Sequence, residues 1–258
     1  VEDGDTRQIT YEHNGNKIEI IPSVAGRATQ HDKDIVLFCV SKLVAAINAG
    51  IAVSPTIETT AHELLSFTRS STSERGYELL SKAFDRLTGT RMRATFESTK
   101  DRDGSRRWVG LLDDVEIITR GAKNRMCAIR IKVSDTTFNA AKAMDVLTIP
   151  GDYFGLRSAI AKRIYELCRK HCGGQGQWKI GLTLLQKKVG SAQAEKKFRA
   201  KVKELAEAGS LLDYYMTYLP DEDAVLFFNK SDAGKAALLK ATRNGIKTPR
   251  KAKAAPAA

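Results

Sequence analysis

One order of helix-like and strand-like segments occurs twice along the chain, and this repeat limits the fold more than any other feature. Each half has a long amphipathic helix, a short helix, a polar turn, a second amphipathic helix closed by glycine, and two strand-like runs. This is the order of the winged helix-turn-helix fold. A period of roughly 120 residues indicates duplication of a whole domain. The sequence therefore predicts an α+β protein with two tandem winged helix-turn-helix domains related by duplication.

The first copy follows a strand candidate that ends at Pro22. Its short helix has Thr59 or Thr60 as a possible cap, with Glu63 in capping-box position to Thr60. We interpret the charged stretch between its two later strands, residues 99–107, as the wing. The predicted elements are Lys17–Ile21, Asp32–Ala49, a short helix ending at Phe67, Ser73–Leu87, Arg91–Glu97, Trp108–Ile118, Ala128–Val133 and Asp135–Met144.

The second copy begins with a helix that Asp152 can cap. Gly190 and Ser191 form the turn between its short helix and its second helix. Its wing, residues 219–223, is acidic, so we expect this wing to face away from DNA phosphates or toward a partner. The predicted elements are Asp152–His171, Trp178–Ile180, Leu184–Val189, Ala194–Ala208, Leu211–Tyr218 and Ala224–Phe228.

Shifts in composition divide the chain into four parts. Residues 1–16 are predicted to be a polar lead-in, 17–147 the first winged-helix domain, and 148–230 the second. Residues 231–258 are basic and rich in alanine and lysine, and we expect a disordered tail there.

Positive charge is concentrated in the second half. The chain carries 42 Lys and Arg against 30 Asp and Glu, a net charge of +12. Residues 1–150 hold 21 basic and 20 acidic side chains, whereas residues 151–258 hold 21 and 10. Because such an excess favours a polyanionic partner, we expect double-stranded DNA to be bound mainly through the second half.

The helix Ala194–Ala208 has the clearest features of a recognition helix. Phe198, Val202 and Leu205 share its apolar face, and the opposite face is basic around a small residue, Ala200. Such a face suits close approach to a major groove, although a solvated lysine-rich face is the alternative. The candidate DNA contacts here are Ser191, Gln193, Lys196, Lys197, Arg199 and Lys203.

The helix Ser73–Leu87 carries mixed charge and starts with hydroxyl side chains that can donate to phosphates. The wing that follows is rich in arginine, which can enter a minor groove. A well-capped polar turn and an ordinary solvated hairpin are the alternatives. The candidate contacts in this half are Ser71, Thr72, Ser73, Arg75, Lys82, Arg86, Lys100, Arg102, Arg106 and Arg107.

Enzymatic and metal-binding motifs are weak in this sequence. It has no glycine-rich phosphate loop and no nucleophile elbow. Cys168, His171 and Cys172 are close together, but they lie on one predicted helix without a second ligand pair at zinc-site spacing. A buried helix end is the favoured interpretation. We therefore expect a protein that is not an enzyme and needs neither a metal nor a cofactor.

The location is predicted from what the sequence lacks. No run approaches about 18 apolar residues, and the acidic start of the chain does not resemble a signal peptide. The four cysteines lie inside apolar patterns, which fits reduced thiols. We expect a cytoplasmic protein, without a membrane partner, that is associated with the nucleoid or a plasmid.

From Tyr11 to about Phe228 the sequence resembles the replication initiator protein A family of bacterial plasmids. The resemblance rests on short patches, which are Ile20–Ser23, His31–Ile35, Gly76-Tyr77, Thr88-Gly89, Trp108–Leu112 and Tyr153-Phe154. It implies tandem winged helices that bind origin DNA, often at directly repeated sites, and start plasmid replication. It also implies repression of the protein's own promoter by a dimer and recruitment of the host helicase machinery.

The main hypothesis is thus a plasmid replication initiator that recognises and distorts its origin. A transcriptional regulator on the same scaffold is the runner-up, because fold alone does not separate the two. A relaxase or nuclease is a third hypothesis, and it needs a carboxylate cluster or a His/Tyr metal site that the sequence lacks.

Overall fold

The computed structural model describes residues 4–13, 16–96, 103–120 and 125–246. The chain is a mixed α/β protein that divides into two compact units, Val1–Val146 and Leu147–Ala258.

The first unit contains four helices and seven strands in its described residues. The helices are α1 (Lys33–Asn48), α2 (Ala61–Phe67), α3 (Glu74–Gly89) and α4 (Asp135–Lys142). The strands are β1 (Ile9–His13), β2 (Asn16–Ile21), β3 (Thr56–Thr59), β4 (Arg91–Phe96), β5 (Ser105–Gly110), β6 (Leu112–Arg120) and β7 (Arg125–Val133).

The core of this unit forms between the first three helices and a three-stranded antiparallel sheet of order β3-β7-β6. Phe38, Leu64 and Leu87 come from α1, α2 and α3 and are almost fully buried beside Ile129 and Ile131 of β7. The predicted cap of the short helix is confirmed, since the Thr60 hydroxyl accepts a hydrogen bond from the Glu63 backbone amide at 3.1 Å. Within this core the elements follow the order helix, strand, helix, helix, strand, strand.

The other four strands form a separate antiparallel sheet of order β1-β2-β4-β5. Two expectations are corrected by it. Residues 1–16 are more than a polar lead-in, because they include strand β1, which pairs with β2. The β4–β5 hairpin belongs to this second sheet and not to the sheet that packs on the helices, so it does not have the position of the wing.

The sequence predicts one strand over Trp108–Ile118, whereas the structure has two. In the structure β5 ends at Gly110 and β6 begins at Leu112, and the chain passes from one sheet to the other between them. The strands that pair beside β3 are β6 and β7, and the residues joining them, 121–124, lie outside the described residues.

In its described residues the second unit has a helix, a strand, two helices and then three strands, without counterparts of β1, β2, β4 and β5. Its helices are α5 (Ala159–Cys172), α6 (Leu182–Val189), α7 (Glu195–Glu207) and α8 (Asp232–Arg243). Its strands are β8 (Gln177–Gly181), β9 (Ser210–Leu211), β10 (Tyr214–Leu219) and β11 (Ala224–Asn229), in the sheet order β8-β11-β10-β9. Tyr165, Phe198, Val202 and Phe227 are among its fully buried side chains.

The start of this unit differs from the prediction. Residues Gly151–Gly155 form a short 3-10 helix, and α5 begins only at Ala159, where the Ser158 hydroxyl accepts from the Ala161 amide. The segment predicted to be disordered from residue 231 also contains a helix, α8, capped by Ser231. The apolar side chains of α8 cover Leu226 and Phe228 of β11, and this packing outweighs the polar composition of the segment. Residues 247–258 lie outside the described residues.

Candidate nucleic-acid interface

The turn between α6 and α7 in the second unit is held by its own hydrogen bonds. Gly190 ends α6 with φ of 76°, a left-handed conformation that favours glycine. The Gln186 side-chain amide donates to the carbonyl oxygens of Ser191 and Gln193 at 3.4 and 2.6 Å. These bonds fix the direction in which α7 leaves the turn, so the exposed face of α7 has a defined position relative to α6.

Helix α7 buries one face and exposes the other, as the sequence predicts. Phe198 and Val202 are fully buried, whereas Lys196, Lys197 and Lys203 are exposed together with Gln193. The Lys203 ammonium lies 4.9 Å from the centre of the Tyr218 ring, a cation–π contact that orients it. In the described part of the chain, Lys196 and Lys197 have no ion-pair partner. The helix therefore presents a positively charged surface.

Arg199, a predicted DNA contact, makes ion pairs within its own unit. Its guanidinium donates to both carboxylate oxygens of Asp223, at 3.1 and 2.9 Å, and to Glu195 at 2.6 Å. Asp223 also accepts from the Tyr218 hydroxyl at 2.5 Å, and its backbone carbonyl accepts from the Leu182 amide at the start of α6. Asp223 thus connects the β10–β11 turn to both helices, and Arg199 is occupied within its own unit.

The same network includes the acidic residues of the β10–β11 turn, which the sequence predicts to be the second wing. Glu222 pairs with Lys179 of β8, and Asp223 pairs with Arg199. Hydrogen bonds from Arg199 and Tyr218 lower the pKa of Asp223 from 3.8 to about 2, and the neighbouring carboxylate raises the pKa of Tyr218. Two acidic charges of this turn are therefore balanced by basic side chains of the unit itself.

Two further exposed lysines, at the end of α6, are not among the contacts predicted from the sequence. Lys187 and Lys188 are exposed in the last turn of the helix, directly before Gly190. The proximity of Lys188 contributes to a lowered pKa of His171, although burial of the imidazole is the larger cause. The sequence feature that could have identified them is the pair of adjacent lysines just before the Gly190-Ser191 turn.

The first unit presents the corresponding helix, α3. Ser71, Thr72 and Ser73 are exposed at its start, and the Ser71 and Ser73 hydroxyls are hydrogen-bonded to each other at 2.9 Å. Gly76 is required here, because any Cβ would collide with the Ser71 carbonyl oxygen. The predicted contacts Arg75 and Lys82 are exposed on the same helix.

Arg86 was predicted to contact DNA, and the structure places it in the interior. It is only 7% exposed, and its guanidinium donates to both carboxylate oxygens of Asp32 at 2.7 and 2.8 Å. Asp32 also accepts from the Thr29 amide at 2.8 Å. This pair joins the start of α1 to the end of α3, so Arg86 is a structural residue.

The candidate residues of the predicted first wing are divided between described and undescribed parts. Lys100 and Arg102 lie outside the described residues. Arg106 and Arg107 are exposed on β5, and Arg107 donates to the Thr136 hydroxyl at 3.1 Å. Both arginines therefore belong to the four-stranded sheet β1-β2-β4-β5, and not to the sheet β3-β7-β6.

The described residues give little indication of other chemistry. Burial raises the pKa of the Cys168 thiol, and His171 stacks on Trp178 with ring centres 4.8 Å apart. Within the described residues no three His, Cys, Asp or Glu side chains lie close enough to hold a metal ion. The helices in that part of the chain are also too short or too polar to cross a membrane.

Comparisons with known proteins agree on one class. The sequence model of the replication initiator protein A family matches residues 1–216. A protein of Wigglesworthia glossinidia brevipalpis named "Putative replication protein" is 35% identical over 226 residues, which are 87% of this chain and 82% of that protein. Two crystal structures of domains 2 and 3 of RctB are similar in fold, with TM-scores of 0.65 and 0.60. They cover 89% and 92% of this chain, and this chain covers 93% and 95% of theirs, at 11% and 13% identity.

The extent of the family match, together with the 35% identity, settles the class as that of replication initiators. The chain belongs to the replication initiator protein A family, and the resemblance found in the sequence is confirmed.

Proposed function

We propose that this replication initiator starts plasmid replication by binding specific double-stranded origin DNA through α7 and α3. The observation that supports this most is the exposed face of α7. That face carries Lys196, Lys197 and Lys203, while the opposite face is anchored in the core by Phe198 and Val202. A helix held in this way can enter a major groove without losing its packing.

The proposal includes a winged helix-turn-helix fold for each unit and an origin of the two by duplication. The order helix, strand, helix, helix, strand, strand occurs in both units, with the later strands antiparallel in each. On this proposal α3 and α7 are equivalent recognition helices. The β6–β7 and β10–β11 strand pairs are the equivalent wing hairpins.

The resemblance also supports proposals about partners. We expect the chain to form a homodimer when it represses its own promoter and to recruit host helicase or initiation proteins at the origin. We also propose that it acts without catalysis of its own and without a cofactor, in the cytoplasm.

A plasmid test addresses the initiator function directly. A plasmid that carries the origin but lacks this gene is expected to replicate only when the protein is supplied in trans. Replication without the protein would contradict the proposal and favour a purely regulatory role. The Lys196→Ala/Lys197→Ala/Lys203→Ala variant supplied in trans is expected to fail, whereas Lys201→Ala, whose lysine pairs with Glu204 on the same helix, is expected to support replication.

Footprinting on the same origin measures the DNA site. Protection of two adjacent segments per bound molecule is expected if both recognition helices contact DNA. If the triple lysine variant loses protection at only one of the two segments, that segment is the one that α7 contacts.

A further inference from the structure

The four-stranded sheet of the first unit has a polar face whose residues are defined by the strand register. Side chains two positions apart on a strand point to the same side. Trp108 is paired across the strands with Arg93, and Arg93 with Glu19. Arg106 is two residues before Trp108 and therefore shares its face. We call Trp108 and Arg106, on the edge strand β5, the β5 platform.

Trp108 is unusual for its exposure. The residue is 57% exposed, although tryptophan is a large apolar residue that is usually mostly buried. The other tryptophan of the chain, Trp178, is stacked between His171 and Phe227, with ring centres 4.8 and 5.3 Å away. The indole of Trp108 therefore offers a surface to a ligand, which the packed ring of Trp178 does not.

The charges around Trp108 favour an anionic ligand. Arg93 donates to both oxygens of Glu19 at 2.6 Å, and Lys17 lies 3.6 Å from Glu12 of β1 and 3.8 Å from Glu19, so these two cations are neutralised by two carboxylates of the sheet. Arg106 is exposed, and within the described ranges it has no acidic partner. An exposed guanidinium thus lies about 6–7 Å along the strand from an exposed indole.

We propose that the β5 platform binds single-stranded DNA, with an unpaired base stacked on Trp108 and a phosphate held by Arg106. Aromatic rings on a sheet, combined with basic side chains, bind single strands with little preference for sequence, because every base has a flat face. In a duplex those faces are covered by neighbouring bases, so an open strand is the form of DNA that suits an exposed indole. The inference rests on the proposed function, since an initiator that opens its origin produces single strands beside its duplex site.

The test uses the full chain, a 16-nucleotide oligo(dT) and, separately, an origin duplex. Trp108→Ala is expected to weaken oligo(dT) binding roughly 5- to 150-fold, the effect of losing one stacked base. Arg106→Ala is expected to weaken it less and to reduce its salt dependence by the contribution of about one phosphate. Trp108→Ala is expected to bind the origin duplex as the wild type does. Leu239→Ala, which truncates a similarly exposed apolar side chain on α8, is the matched control and is expected to leave both affinities unchanged.

Fluorescence gives a readout that a purely structural role would not change. Stacking of thymine on Trp108 is expected to quench part of the protein's emission. Trp108→Phe is expected to retain most of the oligo(dT) affinity without that quenching, and this variant keeps the test valid if Trp108→Ala does not fold. Unchanged oligo(dT) affinity in Trp108→Ala, or an equal loss of single-strand and duplex binding, would overturn the inference.

The same measurements separate the two proposals. If the wild type fails to bind the origin duplex but oligo(dT) still quenches Trp108, the proposed function fails and the β5 platform stands. If duplex binding is retained and oligo(dT) neither binds nor quenches, only the β5 platform is wrong.

Discussion

A buried ion pair connects two helices of the first unit. Arg86 near the end of α3 donates to Asp32 at the start of α1, and both side chains are less than 10% exposed. Burying two charges is costly, and the cost is offset only while each charge has its partner. The pair therefore fixes the position of α3 relative to α1.

Arg86→Ala is expected to lower the free energy of unfolding by about 3–5 kcal/mol, because it leaves the Asp32 carboxylate buried without its guanidinium. Urea denaturation measures this loss. Lys82→Ala on the same helix, at an exposed position, is the control and is expected to stay within about 0.5 kcal/mol of the wild type. Equal stability of the two variants would show that the ion pair does not hold the helices together.

The second residue-scale prediction concerns acid pH. Arg199 and Tyr218 lower the pKa of Asp223 from 3.8 to about 2 in the folded protein. A carboxyl group with a lowered pKa stabilises the fold above its unfolded pKa and loses that contribution as the pH falls through the folded value. Wild type is therefore expected to be more stable than Asp223→Asn at pH 5, and this difference is expected to shrink between about pH 4 and pH 2.

Thermal unfolding across that pH range measures the difference. Asp221→Asn changes an acid of the same turn that does not contact Arg199 or Tyr218, and its curve is expected to follow that of the wild type. A gap between wild type and Asp223→Asn that stays constant down to pH 2 would contradict the assignment.

At the scale of elements, features that depend on residues close in sequence could be predicted, whereas pairings between distant residues could not. The Thr60 cap, the glycine after α6 and the buried face of α7 each depend on residues within one or two helical turns, and the structure has all three. Asp32, the partner of Arg86, and Asp223, one partner of Arg199, are 54 and 24 positions away, and helical periodicity contains no information about them. The β4–β5 hairpin was mistaken for a wing for the same reason, since its sheet is completed by β2 from before α1.

The prediction for α7 follows from its exposed lysines. Replacing Lys196, Lys197 and Lys203 by alanine is expected to lower the slope of log affinity against log salt by about 0.9 for each lost phosphate contact, or nearly 3 in total. Titrations of origin duplex at several salt concentrations measure the slope. Lys201→Ala is the matched control, because that lysine is held by Glu204 at 2.7 Å and its loss is expected to change the slope little.

An unchanged slope in the folded triple variant would remove α7 from the proposed interface. Arg199 is left out of this variant on purpose. Its replacement would disturb the position of α7 through Asp223, and a loss of binding would then have two causes.

For the whole molecule, the unequal charge of the two halves indicates that they contribute differently to DNA affinity and to sequence selectivity. Residues 151–258 carry an excess of 11 basic side chains, counted as 21 against 10, whereas residues 1–150 carry an excess of one, 21 against 20. Attraction to phosphates is independent of base sequence, while discrimination comes from contacts to base edges. On the proposed function the second unit supplies most of the general affinity and the first unit contributes mainly to selectivity.

Paired variants test this division. Lys196→Ala/Lys197→Ala is expected to weaken binding to origin and unrelated duplex by similar factors. Arg75→Ala/Lys82→Ala is expected to weaken origin binding more than binding to unrelated duplex, so that the ratio of the two affinities falls. Competition between labelled origin DNA and unlabelled unrelated DNA measures that ratio. A larger loss of the ratio in the α7 pair would reverse the assignment.

The topology of the four-stranded sheet also has a consequence for the order of folding. Ile21 of β2 pairs with Arg91 of β4, so the chain must close a loop of 70 positions before this sheet can form. Helices α1, α2 and α3 lie inside that loop, and their own backbone hydrogen bonds join residues only four positions apart. Closing a long loop is entropically costly, and such contacts form late. We expect the helical part of the first unit to acquire its protection against hydrogen exchange before the sheet that carries Trp108 does.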